Sequence, residues 1–599
     1  MGNPENPVSR GLYALLVAAA CLALDAAPAR ADTLDAYAWP ASVPQGDTVS
    51  ICISSSEPSV LVQIIRYGHY ATPYASYANV AADEQAMPDS AYANGCGWTA
   101  TLRLPIPDSW PSGVYAARII PSGEARYAPF VVRPRNPGLT SRMLFVLPLA
   151  TMQAYNSYGG KSLYEFNSMH RQPSSVVSLR RPFVSGAGLS NILDWPVKFI
   201  QFMESRGYTM EYCTDTDIHQ APSLLLNYGV MIDVGHDEYW SREMRRAVDA
   251  HVARGGSALF FGGNTCWWQI RINGDDQIVC YKDARLDPLT GVADSLVTVN
   301  WYKAPVFDPE NRMTGVSFRN GGYANFLGNY TAADGFGGFT AYHTDHWAFA
   351  GTNLSDGDTL GRSAAIVGYE TDGALLDWDE GLPLATGADG TPSNFVVLGV
   401  APATFGHATM GLYESPGLVF DAGATDWSHG LAADSVVQRI TLNVVDRALA
   451  STAGLGDSMA GACRLPNGEC EVTTRTSCEL EGGIYSSDGA TCIGTTAVDS
   501  AGTEHPAAGV QRLVTLPNPS HGCVLIRYLL TQFSPVTIDV LDASGRFVRR
   551  VDNESNSAGE HSLAWDGRDA EGNALPAGMY FARIKSRSGI TTRKLTLER

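Results

Sequence analysis

Tyr228-Gly229-Val230-Met231-Ile232-Asp233-Val234-Gly235-His236-Asp237-Glu238-Tyr239-Trp240-Ser241 is followed by a polar segment and then by Ser257-Ala258-Leu259-Phe260-Phe261-Gly262-Gly263-Asn264. The first apolar run is short, partly β-branched and bounded by glycine, so it reads as a buried strand. Between the two runs, Ser241 is placed to cap a helix whose Met244, Ala247, Val248 and Val252 share one face until Gly255-Gly256 ends it. A crossover helix between two apolar strands requires them to pair in parallel and to be buried on both faces. His236, Glu238 and Asn264 then emerge side by side at the carboxyl edge of one sheet, where open α/β folds hold their ligands.

Arg142–Leu147 is another buried strand. Behind it come Tyr155, Tyr158, Gly159-Gly160 and Tyr164, a helix around Trp195–Arg206, a strand around Tyr208–Cys213 and a short helix near Pro222–Asn227. Strands alternating with helices in this way predict a doubly wound parallel sheet of flavodoxin-like type within residues 138–450, with the Tyr155 loop at the same edge. Residues 270–430 are rich in glycine and aromatics, with little periodicity, and read as long loops and short strands added to the core; Val436–Ala450 reads as a closing helix. Before this domain, residues 32–137 carry short alternating runs (Val49–Ile53, Ser59–Arg66, Trp98–Leu104, Gly113–Ile120) that predict an antiparallel β-sandwich. Residues 510–599 return to the same pattern and predict a second sandwich.

A chain of 599 residues is too long for one core. Its net charge of -19 and pI near 5.0 argue against a nucleic-acid or anionic-membrane partner, which would demand a basic surface. Residues 1–31 have the parts of a signal peptide, with an apolar stretch from Gly11 to Leu24 after Arg10 and a cleavage point after Ala31; no later stretch is long enough to span a bilayer, so an exported, soluble protein is expected. Export permits disulfides, and ten cysteines remain once Cys21 is set aside. Cys52 with Cys96 and Cys266 with Cys280 are the expected local bridges. Cys463, Cys470, Cys478 and Cys492 define a small disulfide-rich module at 461–493, with zinc as the rival reading although no C-x-x-C knuckle is present. Cys213 and Cys523 are left as buried thiols.

Strand-end carboxylates also serve as helix caps, so His236-Asp237-Glu238 alone does not define a site. Convergence with Tyr155 and Asn264 from other strand ends is what acid/base or metal chemistry needs.

Ala154-Tyr155-Asn156 with Gly159-Gly160 and Tyr164, Gly235 through Ser241, Phe261-Gly262-Gly263-Asn264, Tyr281-Lys282-Asp283, His346-Trp347 and Gly368-Tyr369-Glu370 together resemble the large (beta) subunit of N,N-dimethylformamidase. The resemblance implies an amidohydrolase with a glutamine-amidotransferase-like α/β domain and a mononuclear iron held by two tyrosines and one glutamate. Carried onto this sequence, the metal ligands are Tyr115, Tyr155 and Glu238. His236 and Glu370 would move protons, while Asn264 and Lys282 would orient substrate or hold developing negative charge. Phenolates and a carboxylate are hard donors suited to ferric iron, which would act as a Lewis acid.

Other readings stand beside these. Tyr158 rivals Tyr155, and Lys282 also reads as a surface lysine. Tyr115 also reads as a sandwich-strand residue, because Pro111-Ser112-Gly113-Val114-Tyr115 is matched by Pro576-Ala577-Gly578-Met579-Tyr580, which has no catalytic context. His343-Thr344-Asp345-His346 is either a separate metal site or a structural His346-Trp347 pair.

The tail, with Leu516-Pro517-Asn518-Pro519, Trp565-Asp566-Gly567 and Pro576–Ile584, resembles bacterial type IX secretion sorting domains and flagellar-hook-cap-type Ig-like modules. That resemblance implies an address at the cell surface or outside the cell. The expected function is hydrolysis of a linear amide C–N bond by an exported iron enzyme; the alternative is a secreted, non-catalytic binding or adhesion protein on the same fold. The expected partners are a small-molecule amide, a second copy of the chain in a homo-oligomer, and the secretion machinery through the C-terminal domain.

Overall fold

The computed structural model describes residues 34–184, 188–324 and 337–452, and beyond these the strands and connections at 461–464, 470–473, 484–488, 510–516, 524–530, 534–542, 546–556, 559–569, 573–586 and 589–597. The chain divides into two compact units, 1–493 and 494–599. The signal-peptide segment, Cys478, Cys492 and Cys523 lie outside the described residues.

In the first unit, Leu34–Trp39, Thr48–Ser55 and Leu102–Pro105 form one antiparallel sheet. Ser42–Pro44, Arg126–Arg133, Gly113–Ile120, Ser59–Tyr67 and Ala71–Ala81 form a second, in that order. Both enclose a single core that includes Ile51, Ile53, Val62, Ile64, Tyr115 and Phe130. Burial alternates along Ser59–Tyr67, as a strand with one face on a core requires.

The central sheet has nine strands. Glu211–Thr214, Met143–Leu147, Val230–His236, Ser257–Gly263 and Leu418–Asp421 lie next to one another and are parallel. The register runs from Val230 opposite Ser257 to His236 opposite Gly263, so the strand-helix-strand unit pairs as its sequence predicts. Ser241 caps the helix Arg242–Ala253, its hydroxyl accepting from the Met244 amide at 3.2 Å. Side chains alternate between the two faces. Phe145, Ile232, Val234, Leu259 and Phe261 pack with the helices Pro196–Ser205 and Ser435–Ser451. Leu144, Met231, Ala258 and Phe260 pack instead with Met244, Val248 and Val252.

Two expectations are corrected. The sheet is not wholly parallel: Gly406–Glu414, Val396–Ala403, Phe339–Ala341 and Thr359–Leu360 extend it as antiparallel strands, so strands expected within 270–430 belong to the main sheet itself. The molecule is multidomain and largely β-sheet, and a doubly wound parallel domain does not describe it. The two bridges do not exist either, for Cys52, Cys96, Cys266 and Cys280 are free and buried. Cys266 lies near Arg245, against the Arg242–Ala253 helix, whereas the Cys280 thiol points to the Gln269 carbonyl in a different cluster. Cys52 and Cys96 share one cluster with Tyr37 and Trp98, and the Cys52 thiol is directed at the Trp98 carbonyl, 3.6 Å away.

Cys470–Thr473, Gly461–Arg464 and Ile484–Asp488 form a small three-stranded sheet. The second unit is a sandwich of three and four strands around Val524, Ile526, Ile538, Trp565 and Tyr580. Among the described residues no helix is long and apolar enough to cross a membrane.

Candidate functional site

The carboxyl ends of the central parallel strands carry the site. Gly235, at φ 92°, bends the end of its strand where a Cβ would meet Trp195 at 2.6 Å. Glu238 follows in a loop tied to the helix Leu149–Tyr155 by Thr151, whose hydroxyl accepts from the Glu238 and Tyr239 amides (2.9 and 3.1 Å) and donates to Asp237 (3.0 Å). One threonine thereby fixes Tyr155 relative to Glu238.

The Tyr155 hydroxyl donates to Glu238 Oε2 at 2.6 Å. Tyr164 joins them, its oxygen 2.8 Å from that of Tyr155 and 2.7 Å from each carboxylate oxygen of Glu238. Burial raises both phenol pKa values well above the usual range, and the Glu238 charge adds to the effect. Glu238 keeps its charge: burial pushes its pKa up, but His236, Lys282 and the Tyr155 hydroxyl outweigh that and leave it lowered.

On the other side of Glu238, His236 Nε2 lies 2.9 Å from Glu370 Oε2 and 3.5 Å from Glu238 Oε2. Burial opposes a charged imidazole, yet Glu370 and Glu238 raise its pKa to about 10. Asn264, at φ 52°, donates to Glu370 at 2.9 Å. Glu370 reaches this position because Gly263 has no side chain: a Cβ there would sit 2.9 Å from the Glu370 carbonyl oxygen. Lys282, also at positive φ, places Nζ 3.3 Å from the Tyr164 ring centroid and 5.0 Å from that of Trp268. Burial lowers its pKa, against the pull of Glu238.

The structure thus brings together Tyr155, Glu238, His236, Asn264, Lys282 and Glu370. It does not bring Tyr115, which packs against Trp110, Phe130 and Tyr74 in the sandwich core and donates to the Pro111 carbonyl at 2.8 Å. Tyr580 makes the same bond to Pro576 at 3.0 Å. Both are corner tyrosines of sandwiches. Tyr158 is also elsewhere, bonded to Asp35 at 3.0 Å. His346 caps a short turn by accepting from the Ala348 amide at 3.2 Å, and its ring lies tilted against Trp347 with centroids 4.9 Å apart. Among the described residues no set of three His, Cys, Asp or Glu side chains is arranged to hold a metal ion.

Sequence reasoning missed Tyr164 as a member of the cluster, and with it the residues that place it. Buried Arg181 donates to the carbonyls of Gln153, Tyr158 and Lys161, and Asn167 donates to the Tyr155 carbonyl at 2.8 Å. These bonds stitch the loop to the helix end; the glycine pair Gly159-Gly160 was the cue in the sequence to a built loop.

A family model described as "N,N-dimethylformamidase beta subunit-like, C-terminal" matches residues 61–440, more than half of the chain. The chain belongs to that family. Beta subunits of N,N-dimethylformamidase from Paracoccus aminophilus and from Alcaligenes sp. are each 21% identical to it over 218 residues, covering 30% of this chain and 28% of theirs. The chain therefore spans under a third of the length of those dimethylformamidase subunits. A FlgD Ig-like domain model matches residues 524–589, so the C-terminal sandwich is an Ig-like domain. Similar solved structures include FlgD from P. aeruginosa (24% identity, 15% of this chain and 77% of that one, TM-score 0.12). Latent PorU from Porphyromonas gingivalis is another (21% identity, 16% and 10%, TM-score 0.14).

Proposed function

We propose that this member of the dimethylformamidase beta-subunit family is an exported amidohydrolase that cleaves the C–N bond of a linear amide at a mononuclear iron held by Tyr155, Tyr164 and Glu238. The observation that carries the reading is the convergence of two phenol oxygens on one carboxylate, at 2.6–2.8 Å. Two phenols and a carboxylate that converge in this way are hard oxygen donors and would suit a single ferric ion. Tyr164 takes the place first given to Tyr115.

Iron held there would supply Lewis acidity toward the amide carbonyl and make water a nucleophile near neutral pH. The chain's own residues do the rest. Glu370 takes the proton from the attacking water, and His236, held protonated beside it at 2.9 Å, returns one to the departing amine nitrogen. Asn264 holds Glu370 in position, and Lys282 faces the negative charge that develops on the carbonyl oxygen. The N-terminal leader and the Ig-like tail fit export and an address at the cell surface.

The test is metal analysis of the purified full chain with an assay for released amine. Stoichiometric iron, a phenolate-to-iron visible band and amine release are expected, with the band altered in Tyr155→Phe and Tyr164→Phe and kept in Tyr115→Phe. A folded chain that takes up no metal and releases no amine from any amide would return the protein to the alternative reading, a secreted binding protein.

A further inference from the structure

The rings around the oxygen cluster are unevenly covered. Tyr155 and Tyr164 stack on each other at 4.3 Å, and Tyr239 stands edge-on to both. Phe166 and Tyr369 are different: 68% and 43% exposed, they nevertheless touch the cluster. The Phe166 ring lies 5.4 Å from Tyr164 and 6.5 Å from Tyr155, on the phenol side. The Tyr369 ring stands perpendicular to His236 at 6.4 Å, on the imidazole side. Beyond it the row continues through Tyr323, 6.3 Å away, to Phe405, which is 58% exposed and 6.4 Å from Tyr323.

Large apolar rings left in water beside a buried polar cluster mark a surface made to be covered. These rings offer uncharged faces and edges. The Tyr369 hydroxyl is already engaged with Glu370, and Glu165, next to Phe166, is paired with Arg171 at 2.9 Å. A neutral, flat, apolar group is the occupant they suit, because aromatic pairs gain most at edge-to-face or offset spacings of about 4.5–7 Å.

We infer that Phe166 and Tyr369, continued by Phe405, form an aromatic subsite contiguous with the Tyr155/Tyr164/Glu238 cluster, and that it holds an aryl group of the amide substrate. The inference rests on the amidohydrolase reading and makes the substrate class narrower: amides with an aromatic ring on or next to the scissile C–N bond are preferred over dialkyl amides with the same carbonyl.

The test compares N-methylformanilide with N,N-dimethylformamide, which differ by phenyl for methyl, on the full chain and on Phe166→Ala. Phe166 is exposed, so its truncation leaves the fold intact, to be checked by thermal melting. The anilide should be the better substrate, and Phe166→Ala should lower its kcat/KM roughly tenfold and that of the dimethyl amide by a clearly smaller factor. Equal turnover of the two amides, or a parallel loss of both in the variant, would overturn the subsite. Binding of acetophenone and 2-butanone, ketones that cannot be hydrolysed, separates the two claims. If neither amide is cleaved but acetophenone binds more tightly and loses that advantage in Phe166→Ala, the aromatic subsite stands and the amidohydrolase reading falls. If acetophenone has no advantage, the subsite falls whatever the amides do.

Discussion

Tyr115, buried in the sandwich, and the partly buried Tyr155–Tyr164 pair at the sheet edge all have raised pKa values, and desolvation is the first cause in each. What separates them is where the hydroxyl goes. Tyr115 donates to a backbone carbonyl four residues earlier, on its own strand's approach. Tyr155 and Tyr164 reach a carboxylate 83 and 74 residues further along the chain. A locally satisfied hydroxyl contributes to stability and offers nothing to a ligand. A hydroxyl packed against a buried anion is held by a charge that a cation could share, and that difference marks the chemical site.

Removing the anion breaks the comparison most severely. Glu238→Ala should abolish the pairing of both phenols and lower amine release by about three orders of magnitude, the scale of losing a main electrostatic stabiliser; steady-state kinetics and metal content check this. A second locally paired group tests whether such groups act on stability alone. His251 is buried in the helix Arg242–Ala253, 3.2 Å from the Ser257 carbonyl, and burial with the Arg254 charge beside it lowers its pKa to about 4.

The folded state therefore prefers neutral His251. Its contribution is complete above the unfolded value near 6.5 and is lost as pH falls from about 6.5 to 4, by about 3 kcal/mol. Urea unfolding across that range, compared with His251→Asn, should show the loss in the parent only. Catalysis at pH 7 should be alike in both.

Smaller effects sharpen the contrast between the tyrosines themselves. Tyr164→Phe and Tyr155→Phe should each cost about a hundredfold in kcat, comparable to losing one oriented polar group in an active site. Tyr158→Phe, bonded to Asp35 outside the cluster, should leave kcat unchanged. Tyr115→Phe should leave kcat within about twofold and cost about 1 kcal/mol of stability, the worth of one buried hydrogen bond. A hundredfold loss of kcat in Tyr115→Phe, with Tyr164→Phe unaffected, would reverse the assignment.

Most of this site was legible because strand ends are legible. Val230–His236 and Ser257–Gly263 announce themselves by apolar runs and glycine, and the Ser241 cap and Gly255 mark the helix between them. Parallel pairing then follows, and with it the neighbourhood of His236, Glu238 and Asn264. The antiparallel strands were not legible for a related reason: Val396–Ala403 and Gly406–Glu414 are buried on both faces over most of their length, so they lack the polar alternation that would have separated them from loops. Cysteine spacing misled as well: Cys266 and Cys280 pack into different clusters, and Cys52 and Cys96 share a cluster as free thiols.

Local chemistry therefore decides the elements, their caps and their parallel order, because each depends on residues within one or two turns of chain. Which tyrosine meets Glu238 depends on contacts made only after folding. Tyr115 has its partner four residues away and keeps it, whereas Tyr164 is brought in by Arg181, Asn167 and the clamp of Thr151 on the Glu238 loop. Those bonds join segments up to 87 residues apart, and no periodicity in the sequence records them.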